Sequence, residues 1–253
     1  MLKARPLISI ITATFNSEGT ILDTYNSIKA QTYDNWEWLV TDDKSSDSTF
    51  EVLKDIAIVD PRVKLFKNEV NSGAAVSRNK SLSNIQGDFI CFIDSDDLWK
   101  SEKLQKQLQF MGENIHFSFT AYELIDSSGD SIGQTVDTEN SGMFSYEDML
   151  RKKATMGCST VMLRRAAFPK VCMPLIRTGQ DYATWLSLLK VHNAAILNVC
   201  LTQYRILPNS ISRNKFRKAK RQWQIYREIE KLSLLKSTVC FFHYAFRAIF
   251  RKK

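Results

Sequence analysis

Four short apolar runs, at residues 7–12, 36–41, 63–66 and 89–93, alternate with longer segments of helical spacing through the first part of this 253-residue chain. Such alternation is what a mostly parallel twisted sheet with helices packed on its faces produces, so an α/β fold is expected. Thr20 is a candidate N-cap, followed by Ile21, Leu22, Tyr25 and Ile28 at three- and four-residue steps, which predicts a helix between the first two strands. Further helices are expected at residues 48–59 and 74–85. The second is entered through Asn71-Ser72-Gly73, where glycine supplies a backbone conformation that other residues resist.

After Trp99 the alternation is less regular. The pattern predicts a helix at 103–111, a strand at 115–122, a turn at 126–129 and a polar, mobile loop over 127–142 that could fold over a ligand. A strand near 160–163, a helix at 182–191 and a strand at 195–199 follow. From Asn214 onward the chain is basic and helical, without strand signals or an internal repeat. The expected organisation is an α/β domain over residues 1–212, with halves 1–110 and 111–212, and a helical tail over 213–253. A hydrophobic content of 44% suffices for a packed core.

The 35 Lys and Arg outnumber the 27 Asp and Glu, a formal charge of +8 that favours anionic partners: nucleotide diphosphates, nucleic acid or acidic lipid headgroups. The five cysteines are scattered without the close pairing of zinc or redox sites, which suits reduced, mostly buried thiols in a cytosolic compartment. His116, His192 and His243 show no ligand-like spacing. The N-terminus lacks the h-region and cleavage site of a signal peptide. No window reaches the roughly 20 uninterrupted apolar residues of a spanning helix, because Lys236, His243 and Arg247 interrupt the most hydrophobic stretch.

The chemistry concentrates at strand ends. Cys91-Phe92-Ile93-Asp94-Ser95-Asp96-Asp97 crowds three carboxylates at the end of an apolar strand, where open α/β sheets form their ligand crevice. Carboxylates this close repel one another unless a cation lies between them. Hard divalent ions such as Mg²⁺ or Mn²⁺ take oxygen ligands, often one or two carboxylates plus substrate phosphates. The alternative is a turn whose Asp residues cap the next helix. A second strand ends likewise in Asp42-Asp43, where one acid can accept hydrogen bonds from a base or ribose while the other caps the turn. At the first strand's end, Thr12-Ala13-Thr14-Phe15-Asn16 offers hydroxyls and an aromatic face for a nucleobase, or Asn16 simply caps a turn.

Together these segments resemble family 2 of the glycosyltransferases, which has the GT-A fold. The resemblance rests on Pro6 to Ile11, Phe15-Asn16, Gln31-Thr32-Tyr33, Trp36-Glu37, Asp42-Asp43, Asn71 with Gly73, Arg78-Asn79 and Asp94-x-Asp96-Asp97, in order and at matching spacing. It covers about the first 110 residues well and continues loosely through 157–164, 180–185 and 204–212. The resemblance implies a nucleotide-sugar-binding half at 1–110 and an acceptor-binding half at 111–212. It implies that Ala13, Thr14 and Phe15, with Asn16, line a uridine pocket, that Asp43 beside Asp42 meets the uracil, and that Arg78 approaches the nucleotide. It further implies that Asp94 and Ser95 touch the ribose side and that Asp96, with Asp97, binds Mn²⁺ or Mg²⁺. The family's catalytic base matches Asp181 in Gly179-Gln180-Asp181-Tyr182-Ala183-Thr184-Trp185, with Gln180 in place of the usual Glu; the alternative for Asp181 is a helix N-cap. Tyr204-Arg205, followed by Ser210 and Ser212, resembles the closing loop whose basic residue meets the diphosphate, against an ordinary ion pair for Arg205.

The activity so implied is inverting transfer of a sugar from a UDP-sugar to a lipid-linked bacterial surface glycan, such as O-antigen, at the cytoplasmic face of the inner membrane. The tail, rich in aromatics and ending Arg251-Lys252-Lys253, suits an amphipathic helix on an anionic membrane, or a helix packed on the domain or on a dimer partner. A nucleic-acid-binding protein would also carry basic residues interleaved with aromatics, but no nucleic-acid module is recognisable in the first domain. A non-catalytic interaction domain fits less well with Asp94, Asp96, Asp97 and Asp181 all present.

Overall fold

The computed structural model describes residues 5–168, 170–207 and 215–250. The parallel part of the sheet is formed by β1 (Ile8–Thr14), β2 (Trp36–Asp42), β3 (Val63–Lys67) and β4 (Phe89–Phe92), in the spatial order β3-β2-β1-β4. Every residue of β2 is buried, as a parallel strand covered on both faces must be. Side chains alternate between two cores: Ile11, Leu39 and Phe92 lie in one, Ile10, Val40 and Cys91 in the other. α1 (Ile21–Lys29), α2 (Thr49–Val59) and α4 (Lys103–Met111) contribute Ile21, Leu53 and Leu104 to the second core, while α3 (Ala74–Leu82) contributes Ala75 and Leu82 to the first.

An acid inside this sheet has a structural reason. Glu37 of β2 accepts from Ser9 Oγ (2.5 Å), Lys64 Nζ (2.6 Å) and the Gln86 N–H (2.7 Å), tying the segment before β4 to its neighbours. Burial alone would raise its pKa, yet these donors together hold it below the usual carboxylate range.

The second half extends the sheet with mixed polarity. β5 (Leu98–Trp99), β6 (Phe117–Ile125), β9 (Met162–Arg164) and β10 (Ala194–Arg205) continue the order as β4-β9-β6-β10-β5, with β6 and β10 parallel and β9 antiparallel to both β4 and β6. The segment expected to be a mobile loop over 127–142 contains a strand, β7 (Ser131–Val136), paired antiparallel to β6 across a turn closed by the Asp126 N–H to Asp130 O bond. Its residues are almost all exposed, so no alternation of apolar residues betrays it. β10 likewise runs well beyond the expected 195–199, through irregularities between Leu197 and Thr202.

β8 (Met143–Phe144) pairs with β10, and α5 (Tyr146–Leu150) opens with a capping box between Ser145 and Asp148. α6 (Gln180–Leu189) starts two residues earlier than expected and buries Trp185 against Phe92 and Phe117.

The tail is not one continuous α-helix. α7 (Lys215–Gln224) runs into a π-helical turn at Ile225–Ile229, and α8 (Leu234–Phe250) follows. Ile225 and Tyr226 are buried in the main core, and the Tyr226 hydroxyl donates to Leu150 O (2.5 Å). The boundary expected near 212, with Ser210 and Ser212, lies outside the described residues. Among the described residues no helix is long and apolar enough to cross a membrane. Cys91, Cys158 and Cys240 are buried, Cys172 is exposed, and none of the cysteines forms a disulfide.

Candidate active site

The ends of β1 and β2 meet as their parallel register requires, with Thr14 opposite Asp42. Both are buried, and Thr14 Oγ1 and Asp42 Oδ1 find no partner among the described residues. A buried polar atom without a partner costs about 1–3 kcal/mol, so neighbouring orphans at strand ends mark a place for a polar ligand edge. Phe15, next to them, leaves 48% of its surface exposed although it is a large aromatic. Asn16, at φ 50°, donates its N–H to Ser45 Oγ (3.0 Å) and accepts from the Ser46 N–H at Oδ1 (2.9 Å). It is therefore the turn cap that latches the β1 and β2 loops together. Ala13 is half-buried on the same strand end.

Asp43 is committed to the backbone. Its carboxylate accepts from Asn68 Nδ2 (2.8 Å) and from the N–H groups of Ser72 (2.9 Å) and Gly73 (2.7 Å), fixing the turn that starts α3. Gly73 sits at φ 90°, which explains the glycine there.

The acidic loop after β4 is held from behind. Asp94 takes an ion pair from Arg78 of α3 (2.5 Å), while its N–H donates to Ser159 Oγ (3.0 Å). The same Ser159 hydroxyl donates to Asp97 Oδ2 (2.5 Å), and Asp97 Oδ1 accepts the Arg205 N–H (3.0 Å). Only 1% of Asp97 is exposed, and both of its oxygens are engaged. The expected metal-binding role for Asp97 thus meets a geometry in which it braces the loop. Burial, with Asp94 and Asp96 beside it, holds its carboxyl well above the ordinary range. Ser95 bonds with Ser17 Oγ (2.8 Å), and its carbonyl accepts from Thr20 Oγ1 (2.9 Å).

Asp96 is half-buried and differs from its neighbours. Burial first, and then repulsion from Asp94, push it up to about 6. An acid so placed gains from an added cation. Among the described residues no three His, Cys, Asp or Glu side chains converge as a ready cage. Hard divalent ions take carboxylate and phosphate oxygens, and Asp96 would offer one such oxygen donor at this loop.

Arg205 departs from expectation. Its guanidinium donates to Asp96 O (2.8 Å) and Ser127 O (2.8 Å) and reaches Asp23 (3.3 Å), and only 2% of its side chain is exposed. It stitches β10, the β6–β7 turn and α1 to the acidic loop instead of presenting its charge to a diphosphate.

Asp181 lies in the first turn of α6, but Gly179, at φ 74°, is the N-cap, so the alternative role as cap is taken by another residue. Burial raises the Asp181 carboxyl, offset in part by the Tyr182 N–H and by the charges of Arg78 and Lys152. Arg78, ion-paired to Asp94, also lies within electrostatic reach of Asp181. Burial opposes its charge, but Cys158, Asp94 and Asp181 outweigh that and keep it protonated. Asn79, next to it, donates to Met173 O (2.8 Å) and accepts the Met173 N–H (2.8 Å), clamping the segment that leads to α6. The arrangement brings Arg78, Asp94, Asp96 and Asp181 together and sets Ser159 and Asn79 behind them. Sequence reasoning gave Ser159 no role; it lies in the loosely similar 157–164 stretch, and its partners are 62 and 65 residues away.

Parallel strands that deliver acids to one end, extended by a mixed half that carries Asp181, define an α/β domain of the GT-A type. A family model described as Glycosyl transferase family 2 matches residues 9–171, and the chain belongs to glycosyltransferase family 2. It is 44% identical over 247 residues to the putative teichuronic acid biosynthesis glycosyltransferase TuaG of Bacillus subtilis, covering 97% of each chain. It is 41% identical over 224 residues to WfgD of Escherichia coli, a UDP-Glc:alpha-D-GlcNAc-diphosphoundecaprenol beta-1,3-glucosyltransferase, covering 87% of this chain and 85% of that one. Among solved structures it shares the fold of S. aureus TarS 1–349 in complex with UDP-GlcNAc, with a TM-score of 0.71 at 21% identity over 87% of this chain; it spans 64% of that chain. The mannosyltransferase PcManGT from Pyrobaculum calidifontis, solved with GDP-Man and Mn²⁺, aligns with a TM-score of 0.72 at 15% identity, over 96% of this chain and 70% of that one. The protein is thus a glycosyltransferase of surface-polysaccharide synthesis.

Proposed function

We propose that the chain transfers a sugar from a UDP-sugar to a hydroxyl of a glycan carried on a lipid diphosphate, with inversion at the anomeric carbon and a bound Mn²⁺ or Mg²⁺. The observation that carries this is the acidic loop at the end of β4, where Asp94 is ion-paired to the buried Arg78 and Asp96 stays half-buried, with Asp181 within electrostatic reach of the same guanidinium. The nature of the donor and acceptor is supported by the likeness to WfgD over most of both chains.

In this proposal Phe15, Thr14 and Asp42 receive the nucleoside and Asp94 meets the ribose, while Asp96 would hold a divalent ion beside the donor's diphosphate. A divalent ion bound there supplies Lewis-acid charge against the negative charge of the departing diphosphate. Asp181, its pKa raised by burial, accepts the proton of the acceptor hydroxyl. The acceptor oxygen forms its bond to the anomeric carbon from the face opposite the breaking bond to UDP, which inverts the configuration. In the same proposal the lipid-linked acceptor is met at the cytoplasmic surface of the membrane.

Asp181→Asn should abolish transfer while calorimetry still detects Mn²⁺-dependent UDP binding. Near-normal turnover in that variant would remove Asp181 from its role.

A further inference from the structure

The C-terminal helix α8 has two faces of opposite character. Ser237 and Cys240 are buried, Tyr244 is half-buried, and Phe241 packs on the main core and edge-on to Trp223 of α7, with ring centroids 5.5 Å apart. Half a turn away, Leu235, Val239, Phe242 and Phe246 repeat at steps of four, three and four residues and are exposed, Leu235 by 78% and Phe242 by 69%. That is the spacing of one continuous helical stripe. A helix pinned to the domain by one face while turning large apolar side chains outward along the other needs an apolar partner for the outer face.

The charge distribution selects the partner. From residue 214 to the end the sequence has twelve Lys and Arg against two acids, Glu228 and Glu230, more than the whole chain's net charge of +8. α8 itself contains no acid, and Lys236 and Arg247 flank the stripe. Lys236 is paired with Glu147 of α5 (2.5 Å) and α8 carries no acid for Arg247, so a second copy of this helix would bring cationic rims together with that one acid already engaged. Anionic lipid headgroups meet the cations while the acyl boundary takes the stripe.

We infer that the outer face of α8, centred on Leu235, Val239 and Phe242, seats the enzyme on an anionic bilayer, with α7 supplying further positive charge. The seat is connected to the catalytic side of the molecule. Arg221 of α7 donates to Thr178 Oγ1 (3.2 Å), and a Cβ built on Gly179 would lie 3.0 Å from Ile225. The bilayer is therefore met by the same helical unit that buttresses the turn leading to Asp181. This deepens the proposed function, because a lipid-linked acceptor lies in that surface, but docking is testable in vesicles that contain no acceptor.

The test is co-sedimentation of the full chain with vesicles of phosphatidylglycerol and phosphatidylethanolamine, compared with phosphatidylcholine alone. The wild type should pellet with the anionic vesicles and be released by salt. Leu235→Glu and Phe242→Glu should each lower the partition coefficient by at least about tenfold, while Phe242→Leu retains it. These side chains are exposed, so circular dichroism and Mn²⁺-dependent UDP binding should stay unchanged in the variants. Equal pelleting of wild type and Glu variants would overturn the inference, as would light scattering showing a dimer that the Glu variants dissolve. Vesicle binding without any UDP binding would leave the docking surface standing and defeat the proposed function instead.

Discussion

Replacing Asp96 by Asn removes one charge from the crowded end of β4, and its effect on stability follows from the surroundings of that carboxyl. Burial and the Asp94 charge raise Asp96 from 3.8 to about 6, a change that corresponds to roughly 3 kcal/mol at about 1.4 kcal/mol per pKa unit. The side chain keeps part of its surface in water, so the share felt as instability is about 1–3 kcal/mol. The sign is fixed by linkage: a carboxyl whose folded pKa lies above its unfolded value makes the folded state bind protons more tightly. Its contribution favours folding at low pH, fades as pH rises from about 4 through about 6, and leaves the ionised group as a penalty above that. Asp97 is raised in the same loop, so the two release protons as a coupled pair and the difference between variant and wild type is the quantity to measure. Urea unfolding of the metal-free protein should show Asp96→Asn more stable than wild type by about 1–3 kcal/mol near neutral pH, with a shallower loss of stability between about pH 4 and 6. The same variant should lose Mn²⁺-dependent UDP binding. A variant less stable than wild type, or one that keeps the wild-type pH slope, would refute this account of the acidic loop.

Ser159→Ala removes the donor to Asp97 and the acceptor for the Asp94 N–H; unfolding measurements should show a loss of about 1–3 kcal/mol, and the Kd for UDP with Mn²⁺ should rise, with Ser159→Thr restoring both. Asn79→Ala, which frees both backbone groups of Met173, should lower kcat more than it raises the UDP Kd, because it loosens the segment that leads to α6 and not the nucleotide end; equal effects on both would argue against that division. Gly87→Ala would place a Cβ 2.6 Å from the Ser9 backbone nitrogen and 2.7 Å from Leu7 O, so thermal unfolding should shift down by several degrees, and an unchanged midpoint would contradict the packing of this turn.

The parallel half of the fold was legible because β1, β2 and β4 are buried on both faces and so read as mainly apolar or β-branched runs, broken only by buried polar residues such as Ser9 and Glu37, while α1 and α4 carry one-sided stripes. The acids announced themselves by their density after β4. β7 was hidden because almost nothing on it is buried, and β10 because its register shifts where Cys200 and Thr202 meet β6. α5 is short, though Ser145 and Asp148 at capping-box spacing were a usable sign of it. What the acids do individually could not be read from spacing. Asp97 is held inward by the Arg205 N–H and the Ser159 hydroxyl, 108 and 62 residues away, and the Arg205 guanidinium by Asp96 O, Ser127 O and Asp23. His116 and His192, distant in sequence, likewise meet, with ring centroids 4.5 Å apart and planes tilted by 59°.

The proposed reaction is sugar transfer from a UDP-linked donor to a lipid-diphosphate glycan. Incubating the enzyme with a panel of UDP-sugars, Mn²⁺ and a polyprenyl-diphosphate-linked GlcNAc acceptor, and reading the product by mass and by anomeric NMR, tests it directly. One UDP-sugar should yield a lipid-linked disaccharide with inverted anomeric configuration, and the yield should vanish in Asp181→Asn. A product that retains the donor's configuration, or an Asp181→Asn enzyme that still makes the disaccharide, would contradict it.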